Sequence, residues 1–296
     1  MSLRVLVTGG SGLLGSALVR QLCSTHDVVA TYQTNERNLP FGCGRSVKID
    51  LSHRESALQL FKDQKFDVVI NAAGATSVDR CERDRDYVQK GNVDIVENLI
   101  AASATARFRL FQISSDYVFD GNDGPPTEHW KPNPINIYGT SKRLAEERIV
   151  ESKMNAVILR VCALYSNSPS AKSNIAKLVA QSLKSNEVYP AADDLFANPT
   201  EVNDLAEAIV KLIGIAELPQ ILHLAPAEYL SRYEFAIKIA ERLGADPKLI
   251  SPVKIDDLDL PALRPKFAGL RSEIAAGLLG RELKGATEIV KTLPAM

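Results

Sequence analysis

A β-rich run, Leu3-Arg4-Val5-Leu6-Val7, stops abruptly at Thr8-Gly9-Gly10, after which Leu13, Leu14, Ala17, Leu18 and Leu22 recur at helical spacing. Strand, glycine turn and helix in immediate succession constrain the fold more than any other stretch. Glycines at 9, 12 and 15 let the backbone turn sharply and approach a pyrophosphate, while the helix start supplies N–H groups and the positive end of its dipole. The first gap is one residue longer than in the standard dinucleotide fingerprint. Gly9, Ser11, Gly12, Leu13, Leu14 and Gly15 are the expected phosphate cradle.

Further strands are expected at 28–32, 47–49, 66–70, 108–113 and 156–160, with helices at 55–61, 87–102 and 141–152. This alternation predicts an α/β fold, a doubly wound parallel sheet of Rossmann type. Ligand chemistry then belongs at the carboxyl ends of the strands, where Gly9, Asp50, Asn71, Ser115 and Arg160 fall. Beyond Arg160 the alternation fails: 166–170 reads as a loop, 175–183 and 201–215 as helices, and 221–224 as a strand able to rejoin the sheet. Residues 226–296 read as mostly helical, with Ser231 as a helix N-cap. The expected division is a dinucleotide-binding domain of residues 1–160 plus about 198–225, and a smaller, mainly helical substrate lobe of about 161–197 and 226–296.

The formal net charge of −1 gives no global field to draw the protein to nucleic acid or an anionic membrane. Cys23, Cys43, Cys81 and Cys162 are scattered, which argues for reduced thiols, and His26, His53, His129 and His223 lack metal-ligand spacing, so no metal is expected. The apolar run at 3–7 is far short of a signal peptide or membrane span. A cytoplasmic protein is expected.

The second strand ends at Thr31-Tyr32-Gln33-Thr34, with no acidic residue to meet ribose hydroxyls. Nothing there repels a 2′-phosphate and Arg37 is near, so the preference leans to NADPH, with NADH left open. Asp50, followed by Leu51, can accept from an adenine amino group or serve as a helix N-terminal aspartate. Tyr138 and Lys142 are one helical turn apart, so an ammonium can stand beside a phenol and lower its pKa. Hydride transfer to a ketone builds charge on the carbonyl oxygen; Tyr138 would protonate it, Ser115 would hydrogen-bond it, and Lys142 would also grip the nicotinamide ribose. Of the adjacent serines, Ser114 is expected to face into the fold.

Thr8-Gly9-Gly10-Ser11-Gly12-Leu13-Leu14-Gly15, Asn71-Ala72-Ala73-Gly74 and Tyr138-Gly139-Thr140-Ser141-Lys142 resemble motifs of the extended short-chain dehydrogenase/reductase superfamily. The run from Ile113 to Gly121, Asn198-Pro199-Thr200 and Leu263-Arg264-Pro265 are similar to the dTDP-4-dehydrorhamnose reductase family. The resemblance covers nearly the whole chain. It implies a reduced nicotinamide cofactor touching Ala72 and Ala73, a nucleotide-sugar 4-ketone and a C-terminal substrate lobe. The related 4,6-dehydratases carry Asp-Glu after the catalytic hydroxyl residue, whereas Asp116 is followed here by Tyr117, which favours reduction over elimination. Asp116 and Tyr117 are candidate sugar contacts, Asp116 alternatively capping a turn. Arg264 is a candidate for the substrate diphosphate or for a surface salt bridge, and Arg160 for a structural anchor. Two other readings stay open: a regulatory protein similar to the regulatory subunit of methionine adenosyltransferase, and a nucleotide-sugar epimerase. A homodimer is compatible with the sequence.

Overall fold

A computed structural model describes residues 2–40, 42, 44–166 and 174–291, the side chain of Arg37 excepted. Seven strands, β1 (Arg4–Thr8), β2 (Asp27–Tyr32), β3 (Arg45–Lys48), β4 (Val68–Asn71), β5 (Arg109–Ser115), β6 (Ala156–Val161) and β7 (Ile221–Leu224), form one parallel sheet. Their order is β7-β6-β5-β4-β1-β2-β3. Parallel strands covered on both faces need apolar residues on both, and successive side chains alternate between them. Val5, Val7, Val28, Ala30, Ile70, Phe111 and Leu159 pack on one side under α1 (Leu13–Leu22). Leu6, Val29, Val69, Leu110 and Ile158 pack on the other under α2 (Arg54–Asp63) and α3 (Ile95–Ser103). The same face is closed by Ala145 and Ile149 of α4 (Ile137–Ser152).

The strand order reverses between β1 and β4, which opens a crevice above their carboxyl ends. A buried polar ladder fixes it: Thr8 Oγ1 donates to Asn71 Oδ1 at 2.5 Å, and Asn71 Nδ2 donates to Gln112 Oε1 at 2.8 Å. Gly9 sits at φ 62°, and a Cβ there would lie 2.8 Å from the Ala73 backbone. A side chain at this position would therefore force the first turn away from β4.

Beyond β6 lie α5 (Ile175–Lys184) and α6 (Val202–Ile213); α6 packs beside α1, and β7 then pairs with β6 as expected. A separate core gathers Val179 and Leu183 of α5, Phe235 and Ile239 of α7 (Arg232–Leu243), and Ile289. Ser231 starts α7 with a capping box: its Oγ accepts from Glu234 N at 3.0 Å, and Glu234 Oε2 accepts from Ser231 N at 2.7 Å.

Three local expectations differ from the structure. Helix α4 begins at Ile137 rather than 141, because Asn136 Oδ1 accepts from Gly139 N at 2.8 Å and caps it earlier. The helix expected over 87–102 is interrupted by a wider π turn at Gln89–Asp94. Within 226–291 the helices beyond α7 are short, Glu273–Leu279 and Ala286–Val290, and Ile250–Val253 pairs as a strand with Tyr189–Ala192. Pro252, Pro261 and Pro265 break the intervening chain, since each lacks an N–H donor. Residues 167–170 of the expected loop lie outside the described residues.

Candidate active site

A cleft of about 880 Å³ runs over the carboxyl ends of the strands, lined by Gly9, Ser11, Gly12, Leu13, Leu14, Asp50, Leu51, Ala72, Ala73, Tyr138 and Lys142 among others. The expected cofactor residues thus converge, with two exceptions. Gly15 lies beneath the turn, where a Cβ would collide with the Gly9 carbonyl, and the Arg37 side chain is outside the described residues. Helix α1 starts at Gly12 with no side-chain cap and no acidic residue in its first turn, so its leading N–H groups face the cleft open to an anion. This glycine-walled, uncapped start fits a dinucleotide pyrophosphate. Asp50 serves both readings: it lines the cleft, and its Oδ1 accepts from Ser52 N at 2.9 Å as the chain turns into α2. Gln33 Nε2 donates to Asp50 Oδ2 at 2.7 Å, closing the cleft's outer end.

At its inner end the cleft meets a smaller pocket of about 150 Å³, and Ser115, Asp116, Tyr138 and Ala163 line both. Tyr138 stands in the first turn of α4 with Lys142 one turn on. Gly139 between them is required, since any Cβ there would strike the Tyr117 carbonyl. Lys142 Nζ donates to the Ile113 carbonyl at 3.2 Å and lies 5.9 Å from the centre of the Tyr138 ring. Burial pushes the Lys142 ammonium down to about 8, with Glu146 acting in the opposite direction. Burial also raises the Tyr138 pKa, against the pull of the Ser115 hydroxyl. The net direction is opposite to the expected lowering of the phenol's pKa, because removal of Tyr138 from water dominates.

Ser115 Oγ donates to Asp116 Oδ1 at 3.0 Å and accepts from Tyr117 N at 3.2 Å. Asp116 is buried and its pKa raised, chiefly by burial; Cys162 Sγ donates to its Oδ2 at 3.0 Å. Tyr117 lines only the smaller pocket, with its ring edge-on to Tyr138 at 5.8 Å. Arg264 lines neither: its Nη2 pairs with Asp79 Oδ2 at 2.8 Å and its Nη1 donates to the Ala262 carbonyl at 2.8 Å. The guanidinium is engaged in the salt bridge that was its other reading.

Ser114 faces the opposite way, donating to Glu146 Oε1 at 2.5 Å. Arg160 is 1% exposed and grips Glu146 through Nε at 3.0 Å and Nη2 at 2.6 Å, an anchor rather than a cleft residue. Three contributors escaped the sequence reading. Asn92, in the π turn, accepts from Ala75 N at 2.9 Å and donates to Ser141 Oγ at 2.8 Å, tying the β4 loop to α4. Cys162 supports Asp116 from within the fold and Arg232 lines the smaller pocket, but a lone cysteine and an arginine after a helix cap carry no distinguishing sequence pattern. Among the described residues no group of three His, Cys, Asp or Glu side chains could hold a metal ion, and no helix is long and apolar enough to cross a membrane.

Comparison with known proteins agrees with this geometry. A probable low-salt glycan biosynthesis reductase of Haloferax volcanii is 32% identical over 93% of this chain and 91% of its own. The beta subunit of methionine adenosyltransferase 2 from Mus musculus is 29% identical over 91% of this chain and 80% of its own. The crystal structure of dTDP-4-dehydrorhamnose reductase from Bacillus anthracis, in complex with NADP, superposes with a TM-score of 0.87 at 27% identity, covering 99% of each chain. Residues 3–293 match the model of one family, so the chain belongs to the RmlD substrate binding domain family.

Proposed function

We propose that the protein is an NADPH-dependent reductase of the 4-keto group of a nucleotide-activated deoxysugar. The observation that carries this reading is the convergence of Ser115, Tyr138 and Lys142 where a dinucleotide-sized cleft meets a sugar-sized pocket. Residues 1–160 with about 198–225 would hold the cofactor, and about 161–197 with 226–296 the sugar. A dihydronicotinamide, when bound, supplies the hydride that reduces the ketone carbon. Tyr138 gives its phenolic proton to the ketone oxygen, and its raised pKa suits this role because the phenol stays protonated at neutral pH. Ser115 turns its hydroxyl from Asp116 toward the same oxygen. Lys142, held by the Ile113 carbonyl, faces the cleft beside Tyr138 to meet the ribose hydroxyls and favour the phenolate left after transfer. NADPH is preferred over NADH because Gln33 and Thr34, which line the ribose end, carry no negative charge, and the Bacillus anthracis relative was solved with NADP.

The similarity to the methionine adenosyltransferase subunit supports a second reading, a cofactor-binding regulatory protein. Turnover separates the two. Purified protein should oxidise NADPH in the presence of a dTDP-4-keto-6-deoxyhexose, and Tyr138→Phe should slow this by about 10²- to 10⁴-fold. NADPH binding without oxidation across a panel of 4-keto nucleotide sugars would reject the reductase in favour of the regulatory reading.

A further inference from the structure

We propose that Arg232 is the anchor for the diphosphate of the nucleotide-sugar substrate, reaching from the lobe opposite Ser115 and Tyr138. This rests on the reductase reading and names a specificity-determining residue within it. Arg232 is the first residue of α7, half-buried, and lines the smaller pocket together with Ser115, Asp116, Tyr117, Tyr138 and Phe196. Its backbone N–H is committed to the Leu195 carbonyl at 3.0 Å, which fixes where the side chain leaves the helix. Among the described residues no hydrogen bond or salt bridge holds its guanidinium. Its positive charge is nonetheless felt by Asp116, Tyr117 and Cys162, lowering the pKa of each against the larger upward push of burial.

A half-buried guanidinium with no protein partner is free to take a ligand's oxygens, and five N–H donors in a planar fork match phosphate oxygens better than neutral sugar hydroxyls. Asp116 does not supply the missing partner: it feels the Arg232 charge, but its side-chain hydrogen bonds are with Ser115 and Cys162. Arg264 is not a competing anchor while Asp79 and Ala262 occupy it. In a nucleotide sugar the anionic group hangs from the anomeric carbon, across the ring from C4. A ring whose C4 oxygen rests on Ser115 and Tyr138 therefore turns its charged end away from them, and Arg232 is the one cationic side chain among the described residues that line this pocket.

The test is calorimetric titration of wild type, Arg232→Met and Arg232→Lys with dTDP, UDP and thymidine, with NADPH binding as the control for folding. Arg232→Met should weaken nucleoside diphosphate binding by about 10- to 100-fold and leave thymidine and NADPH unchanged, with Arg232→Lys between the two. Added salt should weaken wild type more than Arg232→Met. Equal dTDP affinity in wild type and Arg232→Met overturns the anchor and leaves the reductase standing; so does a loss shared with thymidine. Wild type that binds NADPH and neither diphosphate overturns both. If Arg232→Met fails to bind NADPH, Arg232→Lys decides: weakening confined to the diphosphates supports the anchor, and unchanged affinity overturns it.

Discussion

Ser114 and Ser115 are neighbours on β5, yet they open onto two polar clusters of opposite character. Ser114 joins Glu146, Arg160 and His223, where each charged group has its complement: Glu146 takes Ser114 and two Arg160 nitrogens, and Arg160 Nη1 lies 3.4 Å from His223 Nε2. His223 Nδ1 lies 3.1 Å from the Arg271 carbonyl, which can only accept, so the proton sits on Nδ1 and Nε2 accepts from Arg160. Ser115 joins Asp116, Tyr138 and Lys142, which border open space. The two clusters share a support, because Tyr138, Lys142 and Glu146 stand four residues apart on one face of α4. One end of that face is locked into the sheet, and the other borders the cleft. On the proposed reading, rigidity and chemistry are separated along a single helix.

The sharpest way to break this comparison is to unlock the first cluster. Arg160→Met leaves Glu146 buried without its counter-ion, which should cost about 3–5 kcal/mol of stability, read by denaturant unfolding. Replacing both partners with Arg160→Met and Glu146→Leu should recover most of it, since a well-packed apolar pair can substitute for a buried ion pair. Tyr138→Phe should change stability by less than about 1 kcal/mol. Equal losses for Arg160→Met and Tyr138→Phe would show that the clusters are not specialised.

A smaller effect separates them by pH. Burial, with the neighbouring Arg160 charge, lowers His223 to about 3, below its unfolded value of 6.5. Between those values the unfolded chain binds the extra proton, so stability rises with pH through that window and is lost as pH falls from 6.5 toward 3. Lys142, lowered to about 8 from 10.5, gives the same sign in an alkaline window: stability rises as pH climbs from about 8 to 10.5. Asp116, raised by burial, contributes oppositely above 3.8, so each effect is read as wild type minus variant. Each contribution is on the order of a few kcal/mol at most. His223→Gln should flatten the acid slope alone, and Lys142→Met the alkaline slope alone; the reverse pattern would misassign the clusters.

What could be read from the sequence follows the same divide. The glycine turn, the seven strands and the Tyr138–Lys142 spacing are local patterns, and a local pattern is visible in a string. The start of α4 was misplaced because Gly139 and Ile137 look unlike a helix start; Gly139 answers to the Tyr117 carbonyl, a contact made in space. Arg264 stayed open between a substrate diphosphate and a salt bridge because Asp79, its partner, lies 185 residues away. Arg160 was seen as an anchor, but its hold on Glu146 needed the folded chain to bring β6 against α4. Arg232 showed nothing, since an arginine following a serine cap is ordinary on any surface helix.

The finest cut is between the serines themselves. Ser114→Ala removes one of the hydrogen bonds to the buried Glu146 carboxylate while Arg160 still compensates its charge, so the expected loss is about 1.5–3 kcal/mol of stability with kcat little changed. Ser115→Ala removes a hydroxyl whose present partners, Asp116 Oδ1 and Tyr117 N, sit at the edge of a pocket that water can enter, so stability should fall by less than about 1 kcal/mol. Its cost should appear in turnover, as a 10- to 100-fold lower kcat, roughly what one charge-stabilising hydrogen bond contributes on the way to the alkoxide. Measured side by side, unfolding midpoints should rank Ser114→Ala as the weaker protein and steady-state rates should rank Ser115→Ala as the slower. A shared ranking on both axes would mean that β5 does not divide the two clusters, because each serine would then serve the same one.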